Sequence, residues 1–237
     1  MTMGGLGELI VAAALFVGGH FVASSATVRE PLAARLGEPV FTGLYSLAAL
    51  ALLVWTIMAY GRAPGVPLWD APSWTYTLPA IFMAPACLLL VCGVSQDNPT
   101  AAMRRLGPGD RPAPGILAVT RHPVMWGIGI WALAHVPANG TAADLVLFGA
   151  VAALALGGTR AIDGKKRRAW GADWDRFAAA TSNLPFAALA AGHAKLDPAE
   201  IGWLRVVGAA TLYALLVFFH PFIAGVPVPG FNPAVAP

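Results

Sequence analysis

The chain has 237 residues, of which 57% are hydrophobic and only 11% charged, with a mean hydropathy of +0.66. A soluble domain carries about 25% charged residues, so this sequence lacks the charge to cover a water-exposed surface. It reads as a single all-α, polytopic membrane domain over residues 1–237, a helical bundle in contact with the lipid bilayer. The net charge of +3 is small; no nucleic-acid partner is expected, and the placing of the basic residues carries the information.

A span needs about 20 apolar residues, and six segments qualify: 6–27, 40–60, 76–95, 119–137, 143–160 and 202–222. The first ends in "VASSA", which has the look of a signal-peptide cleavage site. No Lys or Arg precedes it and Glu8 is its only charge, so the positive n-region is missing. It is expected to stay as a helix. Within it, His20 follows Gly18 and Gly19, whose missing side chains let a partner helix or a flat ligand approach the backbone. His20 lies about 4–5 Å from the centre of the apolar run at 1.5 Å per residue. An ionisable side chain at that depth is expensive and usually functional; a hydrogen-bonded core histidine is the alternative. The third span contains Pro79 and Pro85, which predicts a kink or local unwinding near Ala84. It also holds Cys87 and Cys92, the only cysteines. At that spacing on a helix their Cα atoms are about 8 Å apart, too far to bridge, and they are read as small apolar fillers.

The fourth span, "TRHPVMWGIGIWALAHVPANG", holds His122 and His135. Their separation is about 20 Å along a helix, so one metal ion cannot take both. His122 follows Arg121 and precedes Pro123, which suits a first helical turn. His135 lies at the far end beside Pro137 and Asn139-Gly140, a turn expected to fold spans four and five into a tight hairpin. "GIGIWA" matches a dinucleotide fingerprint in form but follows no strand. After the fifth span comes "DGKKRRAWGADWDRFAAATSNLPFAALAAGH", a basic cluster followed by Trp170, Trp174 and Phe177. It predicts an amphipathic helix at the inner interface with its rings at headgroup depth. Contact with anionic lipid and contact with a substrate or cofactor both stay open for it. His193 is expected to be solvated, and His220, before Pro221, to be interfacial.

Lys and Arg mark the cytoplasmic side. Arg29 and Arg35 lie in the 28–39 connection, Arg104, Arg105 and Arg111 in the 96–118 connection, and Arg121 at the next span. Arg160, Lys165, Lys166, Arg167, Arg168, Arg176 and Lys195 follow in 160–201, with Arg205 just beyond. Fourteen of the 15 basic residues thus fall on one side and only Arg62 on the other. Both termini are expected on the non-cytoplasmic side.

Zinc wants three or four ligands, often carboxylates or thiolates; no Asp or Glu lies deep in any span, and HExxH is absent. Haem is satisfied by one or two axial histidines in an apolar, aromatic setting, and without CxxCH it would be b-type. Two axial histidines want Cα atoms about 12 Å apart, and the depth gap from His20 to His135 uses most of that. Whether His20 pairs with His122 or with His135 stays open. Trp126, Trp131 and Phe148 would line such a pocket, although aromatic rings serve equally as core.

At this point "HFVASSATVREPLAARLGEPVFTGLYSLAAL", "TRHPVMWGIGIWALAHVPANGTAADLVLFG" and "DGKKRRAWGADWDRFAAATSNLPF" together resemble the NnrU family. The resemblance covers nearly the whole chain. It implies a multi-pass protein of the bacterial inner membrane associated with nitrite and nitric oxide reduction, with a membrane reductase as a partner. The same family includes a haem-dependent 15-cis-zeta-carotene isomerase, a membrane haem b protein that turns a cis double bond trans when its iron is reduced. The resemblance therefore implies haem b, an apolar polyene as substrate, and isomerase activity. Carried over, the first ligand falls on His20 and the second on His135 of the "LAH" element; His122 fills the "RHP" position, which is shared more widely. A further histidine of the isomerase falls near Leu154, where this chain has only apolar residues. That departure bears on ligand exchange and on isomerase activity more than on haem binding. Arg121, Trp126, Trp131 and Asn139 complete the expected substrate pocket.

A more distant likeness links Arg121, His122 and the following charged segment to membrane methyltransferases that bind S-adenosylmethionine. Asp163 and Asp173 are the only acidic candidates for that role, His20 would be dispensable, and the protein would be colourless. A third expectation is a non-enzymatic accessory to nitric oxide reduction whose basic loops dock a partner.

Overall fold

Proline and glycine set most of the helix limits. The computed structural model describes residues 4–101 and 113–230; Arg104, Arg105 and Arg111 lie outside the described residues. The helices are α1 (Gly4–Ser24), α2 (Ala26–Leu36), α3 (Glu38–Arg62), α4 (Thr77–Ser95), α5 (Pro123–His135), α6 (Ala142–Trp170), α7 (Ala172–Ala180), α8 (Ala187–Ala190), α9 (Pro198–Ile201) and α10 (Trp203–Ala224). Among the described residues there is no strand, only one isolated bridge between Pro67 and Thr141. Among the described residues, five helices are long and apolar enough to cross a membrane: α1, α3, α4 with the 3₁₀ turn that leads into it, α6 and α10.

The predicted span 119–137 is the exception. It shrinks to α5, 13 residues or about 20 Å, shorter than the roughly 30 Å hydrocarbon core. Proline is the reason at both ends. The ring of Pro123 disfavours a helical residue before it, and His122 stands outside the helix at φ −119°, ψ 55°. Pro137 lacks the N–H that would continue the ladder, and Asn139 Nδ2 instead donates to His135 O at 2.7 Å.

Before α5, residues 113–122 run through the interior without an α-helix, with Ile116, Leu117, Ala118, Thr120 and His122 buried. Buried backbone must find partners, and here neighbouring segments supply them. Gln96 Nε2 donates to Pro114 O, Gly115 N to Glu200 Oε2, Phe186 N to Val119 O and Arg121 N to Ser182 O. Gly115 has φ +54°, and a Cβ there would press on Gln96 and on Glu200 O.

The fifth span also differs from expectation. α6 has 29 residues and carries the Lys165–Arg168 cluster on its own last turns. A Thr141–Asp144 capping box starts it, and no breaker stops it until Gly171 at φ +54°. The predicted interfacial helix is reduced to the nine-residue α7. Trp174 and Phe177 are fully buried against Leu117, so these rings pack inside the protein and do not face the lipid headgroups. α4 stays helical through Pro85, so the local unwinding expected near Ala84 does not occur. Other expectations hold: Cys87 and Cys92 are free and buried, and α5 and α6 form a hairpin.

The main packing partners form a row: α10 on α4, α4 on α5, α5 on α6, α6 on α1, and α1 on α3. Missing side chains let α5 approach both neighbours closely. A Cβ on Gly127 would collide with Leu90 and Ala86 O of α4, and one on Gly129 with Leu156 of α6. α3 and α10, at the ends of the row, keep large apolar side chains such as Leu47, Ile57, Phe218 and Phe222 exposed.

Candidate functional site

The two ends of α5 each carry a histidine, and the two are held differently. At the basic end, packing α6 antiparallel to α5 brings Asp163 to Arg121 and His122. Arg121 donates from Nε to both oxygens of Asp163 at 3.0 and 3.1 Å, and from Nη2 to Oδ2 at 2.5 Å. His122 Nε2 lies 2.6 Å from Oδ1. The remaining Arg121 nitrogen, Nη1, donates to Thr181 O, and the guanidinium lies over the Trp174 ring at 5.9 Å. Thr120 Oγ1 and Trp126 Nε1 both donate to Asn183 O at 2.7 Å, which ties the start of α5 to the segment after α7. His122 is 1% exposed.

At the other end, His135 Nδ1 lies 2.7 Å from Trp131 O, one turn back on its own helix. A carbonyl only accepts, so Nδ1 carries the proton, and in the neutral ring Nε2 keeps its lone pair. The ring stacks on Phe148 of α6 at 5.2 Å and sits 5.5 Å from Trp131. The α3–α4 connection lies across the turn that follows. Leu68 N donates to Gly140 O at 2.7 Å and Ala142 N to Val66 O at 2.8 Å. That strap needs glycine at 140, where a Cβ would stand 2.1 Å from Trp69 O.

His20 belongs to a third place. Its Nε2 lies 2.6 Å from the Tyr45 hydroxyl of α3, with Phe16 edge-on and Phe41 stacked on Tyr45. The structure does not bring His20 to the level of His135. Phe21, beside His20, meets α6 at Gly157, whereas His135 meets it at Phe148. Nine residues of helix separate those points, about 13 Å, and α1 and α5 are separate neighbours of α6. The depth gap alone consumes the reach of two axial histidines, and Tyr45 already holds the outer nitrogen of His20. The two do not fit as the axial pair of one haem in this arrangement. His135 by itself does fit: a ligating histidine usually donates its other N–H to a carbonyl or carboxylate, and this one does.

The comparisons with known proteins speak to the whole chain. The model of the NnrU protein family matches residues 8–228. This chain belongs to the NnrU family. It is also 28% identical over 212 residues to the chloroplastic 15-cis-zeta-carotene isomerase of Zea mays, covering 84% of this chain and 56% of the relative. The NnrU chain thus spans little more than half the length of that relative. No solved structure matches.

Of the expected site residues, His135, Trp131 and Asn139 lie together at one end of α5. Arg121, His122 and Trp126 lie at the other, with Arg121 and Trp126 spent on Asp163 and Asn183. His193 is exposed as expected, and His220 Nδ1 pairs with Val226 O at 2.7 Å. Sequence reasoning missed Tyr45 as the partner of His20. It also missed Tyr60, whose hydroxyl donates to buried Asp144 at 2.6 Å. The one available signal was a phenol hydroxyl at each end of the second span.

Proposed function

We propose that this NnrU protein is an intramembrane isomerase of an apolar polyene and that His135 is its working residue, holding haem b through Nε2. One observation carries the reading: the His135 ring is fixed between two aromatic rings with Nδ1 on the Trp131 carbonyl, which leaves Nε2 as the lone-pair nitrogen of the neutral ring. The likeness to the maize isomerase supplies the substrate class. Ferrous haem bound there would supply electron density to a double bond and ease rotation without net redox change. Trp131 and Phe148 offer flat apolar faces to a conjugated chain, and Asn139 closes the helix end beneath the strap. An apolar substrate enters from the lipid, which reaches the row of helices from the side. The basic end of α6 faces the cytoplasm of a bacterial inner membrane, by the excess of Lys and Arg there.

Absorption spectra of the purified protein, oxidised and dithionite-reduced, test the haem. The reading expects a Soret band that His135→Ala abolishes and that His20→Ala and His122→Ala leave in place. Loss in both His20→Ala and His135→Ala would restore the paired arrangement; no band after haem supplementation overturns the haem reading. Conversion of 15-cis-zeta-carotene, followed by chromatography of its isomers, tests the activity separately.

A methyltransferase reading gains little, because both Asp163 oxygens are already held by Arg121 and His122. A second reading, a non-enzymatic partner of a nitric oxide reductase, draws on Arg160, Lys165 and Arg168, which are exposed at the end of α6. It expects membranes lacking this protein to lose reductase activity while the reductase is intact, with no polyene isomerised.

A further inference from the structure

Two buried polar atoms in the group around Arg121 have no hydrogen-bond partner among the described residues: His122 Nδ1 and Trp174 Nε1. Their residues are 1% and 0% exposed, and their needs are opposite. Asp163 is a carboxylate that accepts from His122 Nε2, so in the neutral ring Nδ1 is a lone pair seeking a donor. The indole N–H is a donor only. Both residues adjoin Arg121, His122 by sharing Asp163 and Trp174 by lying under the guanidinium at 5.9 Å. Arg121 bonds neither atom: its Nε and Nη2 donate to Asp163 and its Nη1 to Thr181 O.

Leaving such groups unmet costs about 1–3 kcal/mol each, and phenylalanine in place of tryptophan would avoid one of these costs among neighbours, Leu117 and Phe177, that are themselves apolar. A single kind of group answers both needs, one that donates and accepts at once. We propose that Arg121, His122, Asp163 and Trp174 form a hydroxyl-binding site, in which a hydroxylic occupant donates to His122 Nδ1 and accepts from Trp174 Nε1. Asp163 fixes the ring so that Nδ1 is the accepting atom, and Arg121 neutralises the carboxylate. The occupant is a buried water or the hydroxyl of a lipid-like molecule; the chemistry at the two protein atoms is the same. The site is independent of the reading proposed for His135.

Nuclear magnetic resonance of the full chain in phosphatidylcholine nanodiscs, with 15N-labelled histidine and tryptophan, reads both atoms directly. Replacing His20, His135, His193 and His220 in turn assigns His122 by elimination and leaves the site untouched. The expected result is an unprotonated Nδ1 shifted towards the hydrogen-bonded position, with the Trp174 indole proton shifted downfield. Magnetisation transfer to both atoms from water identifies water. The same shifts seen only with a hydroxyl-bearing detergent, dodecyl maltoside, and lost in phosphatidylcholine identify a larger hydroxyl compound. A proton on Nδ1, a resonance at the free lone-pair position in both media, or an unbonded indole proton overturns the proposal.

Discussion

His122 and His135 open and close the same helix, yet their rings are fixed by different kinds of bond. The proton of His122 faces a carboxylate from α6, 41 residues along the chain. The proton of His135 faces a carbonyl one turn back on its own helix. The first bond exists only when α5 and α6 are packed together, so it belongs to the fold. The second forms wherever α5 is helical, so it adds little to tertiary stability and leaves the outer nitrogen open to a ligand. One helix thus ends in a histidine tied into the tertiary fold on one side and, on the other, in one held only by its own helix.

Substitutions break this contrast in order of size. The largest effect is expected at the basic end. Asp163→Ala leaves the Arg121 charge and the His122 ring unpaired together, and breaking a largely buried pair costs about 3–5 kcal/mol. Thermal unfolding in detergent, followed by circular dichroism, should fall steeply or yield no folded protein. Asp163→Asn, which retains one accepting oxygen, should fall less. A loss below about 1 kcal/mol in the alanine variant would show that the group is not what joins α5 to α6.

At the other end the strap offers the next effect. Gly140→Ala places a Cβ on Trp69 O, where backbone on both sides prevents easy relief. Overpacking of this kind costs about 1–3 kcal/mol and should appear as a lower unfolding temperature. The bond from Leu68 N to Gly140 O would open in the process, making the Leu68 amide exchange faster with deuterium. Below that comes His135→Ala. Losing one local hydrogen bond costs about 1 kcal/mol and losing the stack on Phe148 about as much again, so this variant should stay folded, well above Asp163→Ala, while lacking the Soret band. Instability on the scale of Asp163→Ala would end the distinction between the two histidines.

The fold was largely legible because its determinants are local. Apolar runs located α1, α3, α4 and α10, and Pro123 and Pro137 were visible as breakers, although their combined effect in cutting the span 119–137 down to α5 was not anticipated. The length of α6 was misread because a run of Lys and Arg suggested a boundary. Those residues are good helix formers, and the chain stays helical until Gly171. The site was legible as a set of residue types, not as an arrangement. Arg121 and His122 stood out, but joining them to Asp163 requires knowing that α6 lies antiparallel to α5 and continues past residue 160. The burial of Trp174 and Phe177 depends likewise on Leu117, in an irregular segment with no periodic pattern to place it. Pairing His20 with His135 failed on depth, a quantity fixed by which residue of α6 each helix meets.

The smallest expected effect concerns His20 and gives the contrast a third member. His20 is held by a tertiary partner, like His122, but by a neutral hydroxyl, and it is only partly buried. Tyr45→Phe removes that partner and retains the ring that stacks on Phe41. The net loss should be that of one neutral hydrogen bond, about 1 kcal/mol. The Soret band expected from His135 should not move. If Tyr45→Phe instead shifts that band or changes the reduced spectrum, His20 reaches the iron once its hydroxyl partner is gone. The 13 Å of depth between them would then have to close by sliding α1 along α6, past the contact of Phe21 with Gly157. Substituting Gly157 by alanine, which presses on the Phe21 ring, should resist that slide and separate the two outcomes.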